Sequence, residues 1–106
     1  MKNNKFRSWI SSIQEFVYFE NGVYSKINRE GVPIFNWDNA EQFTGLNDKN
    51  EIDIYEGDII EHLNNNYEIK YIHNGFYVKN DYSKFFPYQD FIEIIGNKHV
   101  NPDWIK

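Results

Sequence analysis

The amino-acid sequence predicts a mostly β fold of β-rich α+β type: a small twisted, partly open barrel of short antiparallel strands, SH3-like in its second half, with one or two short helical turns. Three observations predict it. Runs rich in Ile, Val, Tyr, Phe and Trp alternate with Asn- and Gly-containing turn signals along all 106 residues. No long window carries apolar side chains at the helical period of about 3.6 residues. Many short strands at close spacing must cover or close their edges, and a twisted, partly closed sheet does so. The length suits one domain, with an N-terminal meander and connector over 5–43, a barrel-like half over 44–98 and a tail over 99–106.

The elements follow in order. "KFRSWI" (5–10) and "QEFVYF" (14–19) are strand formers, and Asn21-Gly22 is a tight-turn signal into "VYSKI", which together read as a meander. Glu30-Gly31 turns the chain again, and Pro33 marks an edge or extended connection because it has no N–H for a ladder. "WDNAEQF" (37–43) predicts one helical turn with Asp38 as N-cap and Glu41 as its reciprocal partner. "DIIEHL" (58–63), Asn64-Asn65-Asn66 and "YEIKYIH" predict an antiparallel pair with a three-residue loop, Leu63 facing Tyr67, Ile59 facing Tyr71, and His62 meeting Glu68. Asn74-Gly75 predicts a turn that places Tyr71 across from Val78 and Ile72 across from Tyr77. "DYSKFFPYQDF" (81–91) breaks the strand pattern, with Pro87 opening a short helical turn, and "FIEIIGN" is the last strand.

Composition removes several function classes. Hydrophobic residues make up 41% and aromatics 19% of the chain, enough for a small core although the mean hydropathy is −0.73. The formal charge is −5, the only arginines are Arg7 and Arg29, and the lysines are scattered, so nucleic-acid binding through a clustered basic surface is disfavoured. With no cysteine, disulfides, thiolate metal sites and cysteine nucleophiles are excluded. No apolar run reaches the about 18 residues of a membrane span, and "MKNNKFRSWISS" lacks a signal-peptide core, so the cytoplasm of a host bacterial cell is the expected location. The abundance of Asn, Ile, Lys, Tyr and Phe fits AT-rich coding in a low-GC bacterium or its phage.

The stretch "TGLNDKNEIDIYEGDII" (44–60) packs Asp48, Glu51, Asp53, Glu56 and Asp58 together. Counted from Asp48, the sixth position is Asp53 where a calcium loop needs glycine, so that pattern fails. The alternative is a polar reverse turn and a strand entry with Ile52, Ile54, Ile59 and Ile60 in the core. His62, His73 and His99 have no zinc-ligand spacing, no serine sits in Gly-x-Ser-x-Gly, and no Gly-rich phosphate loop is present. "HNGFYVKN" resembles the strand motif of an RNA-recognition sheet only in part, and reads as a hairpin with core aromatics. Catalytic residues, metal ligands and cofactors are therefore not expected.

What exceeds the needs of a small core is the aromatic content, clustered at 16–24, 67–77 and 82–91. Some of these rings are expected at a surface or between subunits. Tyr77, Lys79, Tyr82, Lys84 and Tyr88 are the candidate binding residues, because aromatics beside lysines can stack a base and screen a phosphate, or anchor a protein partner.

"KFRSW", "QFTGLNDKNEIDIYEGDII" and "EIIGNKHVNPDWI", in that order, resemble the YopX-like family of phage and prophage proteins of low-GC Gram-positive bacteria, over nearly the whole chain. The matching positions are Phe43-Thr44-Gly45-Leu46, Asp48, Asn50, Ile54-Tyr55-Glu56-Gly57-Asp58-Ile59, Ile95-Gly96-Asn97 and Asn101-Pro102. Ser8 stands where the family has alanine, and Glu51 where it often has glycine. Since glycine alone takes positive φ cheaply, Glu51 predicts an ordinary type I turn. The resemblance implies a mostly β, self-associating protein of mobile genetic elements with no assigned catalytic mechanism.

The functional expectation is a non-enzymatic phage- or prophage-encoded accessory protein that acts by binding, countering or modulating a host defence factor through direct inhibition of a protein or sequestration of a nucleotide signal. A structural or assembly role in a phage replication or particle module is the first alternative, and a carboxylate-dependent enzyme the second. The expected partners are a host or phage protein or a small nucleotide, with homo-oligomerisation; nucleic acid and membrane are not expected.

Overall fold

The computed structural model describes residues 4–62, 64–72, 75–78, 81–84 and 92–104. The mostly β, antiparallel architecture is the one the sequence predicts. Two compact units divide the chain, Met1–Phe43 and Thr44–Lys106.

The first unit holds β1 (Lys5–Ile10), β2 (Glu15–Glu20), β3 (Val23–Tyr24), a 3-10 turn (Trp37–Asn39) and the opening of β4 (Glu41–Asn47). β1 lies between β2, with Phe6 opposite Phe19 and Trp9 opposite Phe16, and the first residues of β4, with Arg7 opposite Glu41. Asn21 and Gly22 take φ of 50° and 87°, the pair of positive values a two-residue hairpin turn needs to match strand twist. Phe19 therefore faces Tyr24 and Glu20 faces Val23. Asn28 closes the next turn, its side-chain oxygen accepting the N–H of Glu30 and of Val32 at 2.9 Å each, which sets Ile27 against Pro33.

The predicted helical turn forms with a different cap. Asn36, not Asp38, is the N-cap, accepting the Asp38 N–H at 3.0 Å. Glu41, expected to complete the cap, instead lies in β4 and accepts the Arg7 Nε–H at 2.7 Å, both side chains buried. A charge-assisted bond to a buried guanidinium outweighs a reach back to a backbone N–H.

In the second unit the later residues of β4 run beside β5 (Asp53–Tyr55), and a further sheet has the order β10-β6-β7-β8-β9. Its strands are β6 (Asp58–His62), β7 (Asn65–Ile72), β8 (Gly75–Val78), β9 (Asp81–Lys84) and β10 (Glu93–Asn97). Ile54, Ile60, Ile69 and Ile92 form the buried core, with Leu46, Tyr67, Phe76 and Ile94 packed against it. Each such isoleucine contributes about 1.5–3 kcal/mol of burial.

Two registers differ from the expectation. Across β6–β7, Ile60 faces Tyr67, Glu61 faces Asn66 and His62 faces Asn65, so Asn65 and Asn66 belong to the strand and not to the loop, while Leu63 lies outside the described residues. Asn64 takes φ of 65°, a conformation asparagine tolerates better than most residues. Because the offset is odd, it exchanges the two faces of β7, and it is this exchange that brings Tyr67 and Ile69 to the core side with Ile60. Across β7–β8, Tyr71 faces Phe76 and Ile72 faces Gly75. That shift is even and leaves the faces unchanged, and it pairs the Tyr71 and Phe76 rings at 4.8 Å. Residues 81–84 form a strand where an interruption was expected, and Pro87 lies outside the described residues.

Candidate interaction site

The acidic stretch builds the fold. Asp48 is buried, and its carboxylate accepts three backbone N–H groups: Asn50 at 2.8 Å and Ile52 at 3.0 Å on Oδ1, and Ile94 at 3.0 Å on Oδ2. The first two close the 48–52 turn; the third ties that turn to β10, where the Lys49 N–H also donates to the Ile92 carbonyl at 2.9 Å. Asp58, also buried, accepts the Tyr55 N–H at 2.8 Å and fixes the β5–β6 turn, in which Gly57 takes φ of 88°. The Gly57 N–H donates to the Ile69 carbonyl at 2.8 Å, and its own carbonyl accepts the Lys98 N–H at 2.9 Å. Asp53 accepts the Asn47 amide at 2.6 Å. Among the described residues, no three His, Asp or Glu side chains gather into a metal-binding group, and every buried side-chain polar atom has a hydrogen-bond partner.

Glu51 departs from the expected type I turn: its φ is 64°. The Asp48 carboxylate pins the amides at 50 and 52 on either side of it, so the intervening residue must turn left-handed whatever its side chain. The C-terminal motif is structural too. A methyl group on Gly96 would lie 2.9 Å from Asn101 Cγ and 3.0 Å from Trp104 Cζ3, and Asn97 Oδ1 accepts the N–H of His99 at 3.0 Å and Val100 at 3.1 Å. The chain thereby folds back over the edge of β10.

Of the predicted binding residues, Tyr77 lies on β8, and Tyr82 and Lys84 on β9, with Tyr77 opposite Lys84. The adjoining strands thus bring these three to one ladder. Lys79 and Tyr88 lie outside the described residues.

The aromatic surface that the structure does describe is in the first unit. The strand pairings put Phe6, Phe19 and Tyr24 on one face of the meander, and the returning chain adds Phe35 and Trp37. Trp37 meets Phe35 at 4.6 Å, Phe19 at 5.0 Å and Phe6 at 5.4 Å between ring centroids, tilted and edge-on geometries that aromatic pairs favour. Its indole N–H donates to the Tyr24 hydroxyl at 3.2 Å. Beneath the 3-10 turn, Ser8 is fully buried, its hydroxyl donating to Asn39 Oδ1 at 2.7 Å and accepting the Asn36 N–H at 3.1 Å. Trp37 is therefore locked in place yet 48% exposed, and the same returning segment exposes Ile27 at 58% and Val32 at 53%. Tryptophan is among the residues enriched at the energetic centres of protein interfaces.

A crystal structure of protein EF1440 from Enterococcus faecalis superposes with a TM-score of 0.64 at 24% identity, over 96% of this chain and 97% of that one, and so shares the fold. No curated protein matches the chain. Among the described residues, no helix is long and apolar enough to cross a membrane. The family model described as YopX protein matches residues 5–106, a span that includes both the aromatic meander and the acidic scaffold, and the chain accordingly belongs to the YopX family, as a small protein of phage type.

Proposed function

We propose that this YopX-family protein acts by binding and not by catalysis, countering or modulating a host defence factor by direct contact with a protein through the aromatic face of its first unit. The observation that carries the reading is Trp37, fixed by three rings and the Tyr24 hydroxyl and nearly half exposed. Two carboxylates of the acidic stretch support the same reading: Asp48 and Asp58 are buried and accept backbone N–H groups, a structural use. The family's phage type supplies the setting in which a small binding protein meets host defence.

The test is co-purification from a phage-susceptible host, followed by phage plating on that host. A host protein held by the wild type and lost with Val32→Asp and with Trp37→Ala, with phage plating falling in parallel, supports the reading. Wild-type plating by both variants overturns it. Light scattering of the free protein separates the assembly role, since a particle that grows through the same face loses its size in Val32→Asp without any host partner.

A further inference from the structure

The β2–β3 hairpin has a second face, on which the Tyr18 ring meets Phe16 at 6.4 Å and Phe16 meets Trp9 at 5.0 Å. The registers place Tyr18, Glu20 and Val23 on the side opposite Phe19 and Tyr24, and Ser25 joins them by a reciprocal pair with Tyr18: the Ser25 N–H donates to the Tyr18 carbonyl at 2.8 Å and the Ser25 hydroxyl accepts the Tyr18 N–H at 2.8 Å. Further along this face toward β4 the sheet is closed: Arg7 lies against the Phe16 ring at 4.0 Å and binds Glu41. Toward β3 it opens into a shallow depression of about 460 Å³ lined by Tyr18, Glu20, Asn21, Val23 and Ser25. Tyr18 is 41% and Val23 69% exposed.

The lining combines Tyr18 and Val23 with the polar Asn21 and Ser25, and Glu20 is its one charged residue. Among the described residues the Glu20 carboxylate has Lys5 as its ion-pair partner at 3.9 Å, beyond hydrogen-bond distance, and the Lys5 ammonium sits over the Phe43 ring at 4.7 Å. The depression thus offers a tyrosine ring, a valine and a carboxylate whose hydrogen-bonding capacity is not filled by Lys5 at that distance.

From this arrangement we infer a docking groove for an arginine side chain carried on an extended segment of a protein partner. The apolar stem lies along Val23 and Tyr18, and the guanidinium donates to the Glu20 carboxylate while its plane covers the tyrosine ring. Arginine fits this combination better than lysine because its planar head stacks and forks at once, and it sheds water more readily. Charge complementarity selects a basic partner, and the −5 charge of the chain favours its approach. This site is on the face of the hairpin away from Trp37, so it stands or falls apart from the proposed function.

The experiment uses amide NMR of the full chain, with two blocked hexapeptides that alternate valine with arginine or with its neutral isostere citrulline. The arginine peptide is expected to shift resonances of residues 18–25 saturably and to bind about tenfold more tightly than the citrulline peptide, one charge-assisted contact's worth. Glu20→Gln, an exposed change that keeps shape, brings the arginine peptide to the citrulline level, while Trp37→Ala leaves its binding unchanged. Equal binding of the two peptides, shifts confined to other residues, or indifference to Glu20→Gln overturns the inference.

Discussion

Replacing Asp48 with alanine removes the carboxylate that bonds the 48–52 turn to the Ile94 N–H of β10, and leaves the Lys49–Glu93 ion pair in place. The loss divides into two parts. The Asn50 and Ile52 N–H groups belong to exposed residues, so water replaces the carboxylate there and the loss resembles that of a helix cap, about 1 kcal/mol. The Ile94 N–H lies on a half-buried strand residue, where a charge-assisted bond is worth about 1.5–3 kcal/mol. Together the substitution costs about 3 kcal/mol, which for a domain of this size lowers Tm by about 12–20 °C. Asp48→Asn is intermediate: its one oxygen can keep the turn bonds, but its NH2 then meets the Ile94 N–H, donor against donor. The assay is urea unfolding by circular dichroism, with hydrogen exchange at Ile94 and Ile52 as the local readout. The expected order of midpoints is wild type, then Asn, then Ala, with faster exchange at Ile94 in both variants. An alanine variant whose Tm stays within about 2 °C of wild type, far inside the range that such a loss implies, would refute the scaffold role of the carboxylate.

The remaining predictions concern neighbouring parts of the same framework. Glu51→Gly relieves a left-handed residue at φ 64° and raises stability by about 0.5–1 kcal/mol after the entropy of glycine is counted, a Tm gain of a few degrees by thermal melt. Gly96→Ala drives a methyl group into Asn101 and Trp104 and costs about 1–3 kcal/mol, seen as a displaced Trp104 indole resonance with the β6–β7 amides unmoved. Arg7→Met strands a buried Glu41 and destabilises by about 3–5 kcal/mol, whereas Arg7→Met with Glu41→Leu restores most of it; denaturant midpoints of the four-member cycle decide this.

The parts of this protein legible in the sequence are those set by local backbone chemistry. Asn21-Gly22 dictates its own turn, and with it the pairing of Phe19 with Tyr24, so the aromatic face is legible at that hairpin, although the densest aromatic-lysine run of the sequence lies at 77–88. The β6–β7 register was not readable, because "LNNN" offers several asparagines able to turn left-handed and only the packing of Ile60, Tyr67 and Ile69 into one core selects Asn64. Asp38 and Glu41 had the spacing of a capping box, yet the buried Arg7, 34 residues away in sequence, claimed Glu41. The same limit applied to Glu51, whose left-handed turn follows from where Asp48 sends its two oxygens. Phe35 and Trp37 complete the aromatic bed only through the returning segment, whose path depends on the Asn28 turn and the Asn36 cap.

Binding through the face around Trp37, as proposed, and a purely structural acidic stretch must separate in one assay. Phage plating on the defence-proficient host, complemented in parallel with wild type, Val32→Asp and Glu51→Gln, an exposed position of the acidic turn, tests this most directly. Plating with Glu51→Gln should equal wild type, and plating with Val32→Asp should fall to that of the empty vector while the purified variant remains folded. Loss of plating with Glu51→Gln and full plating with Val32→Asp would contradict it.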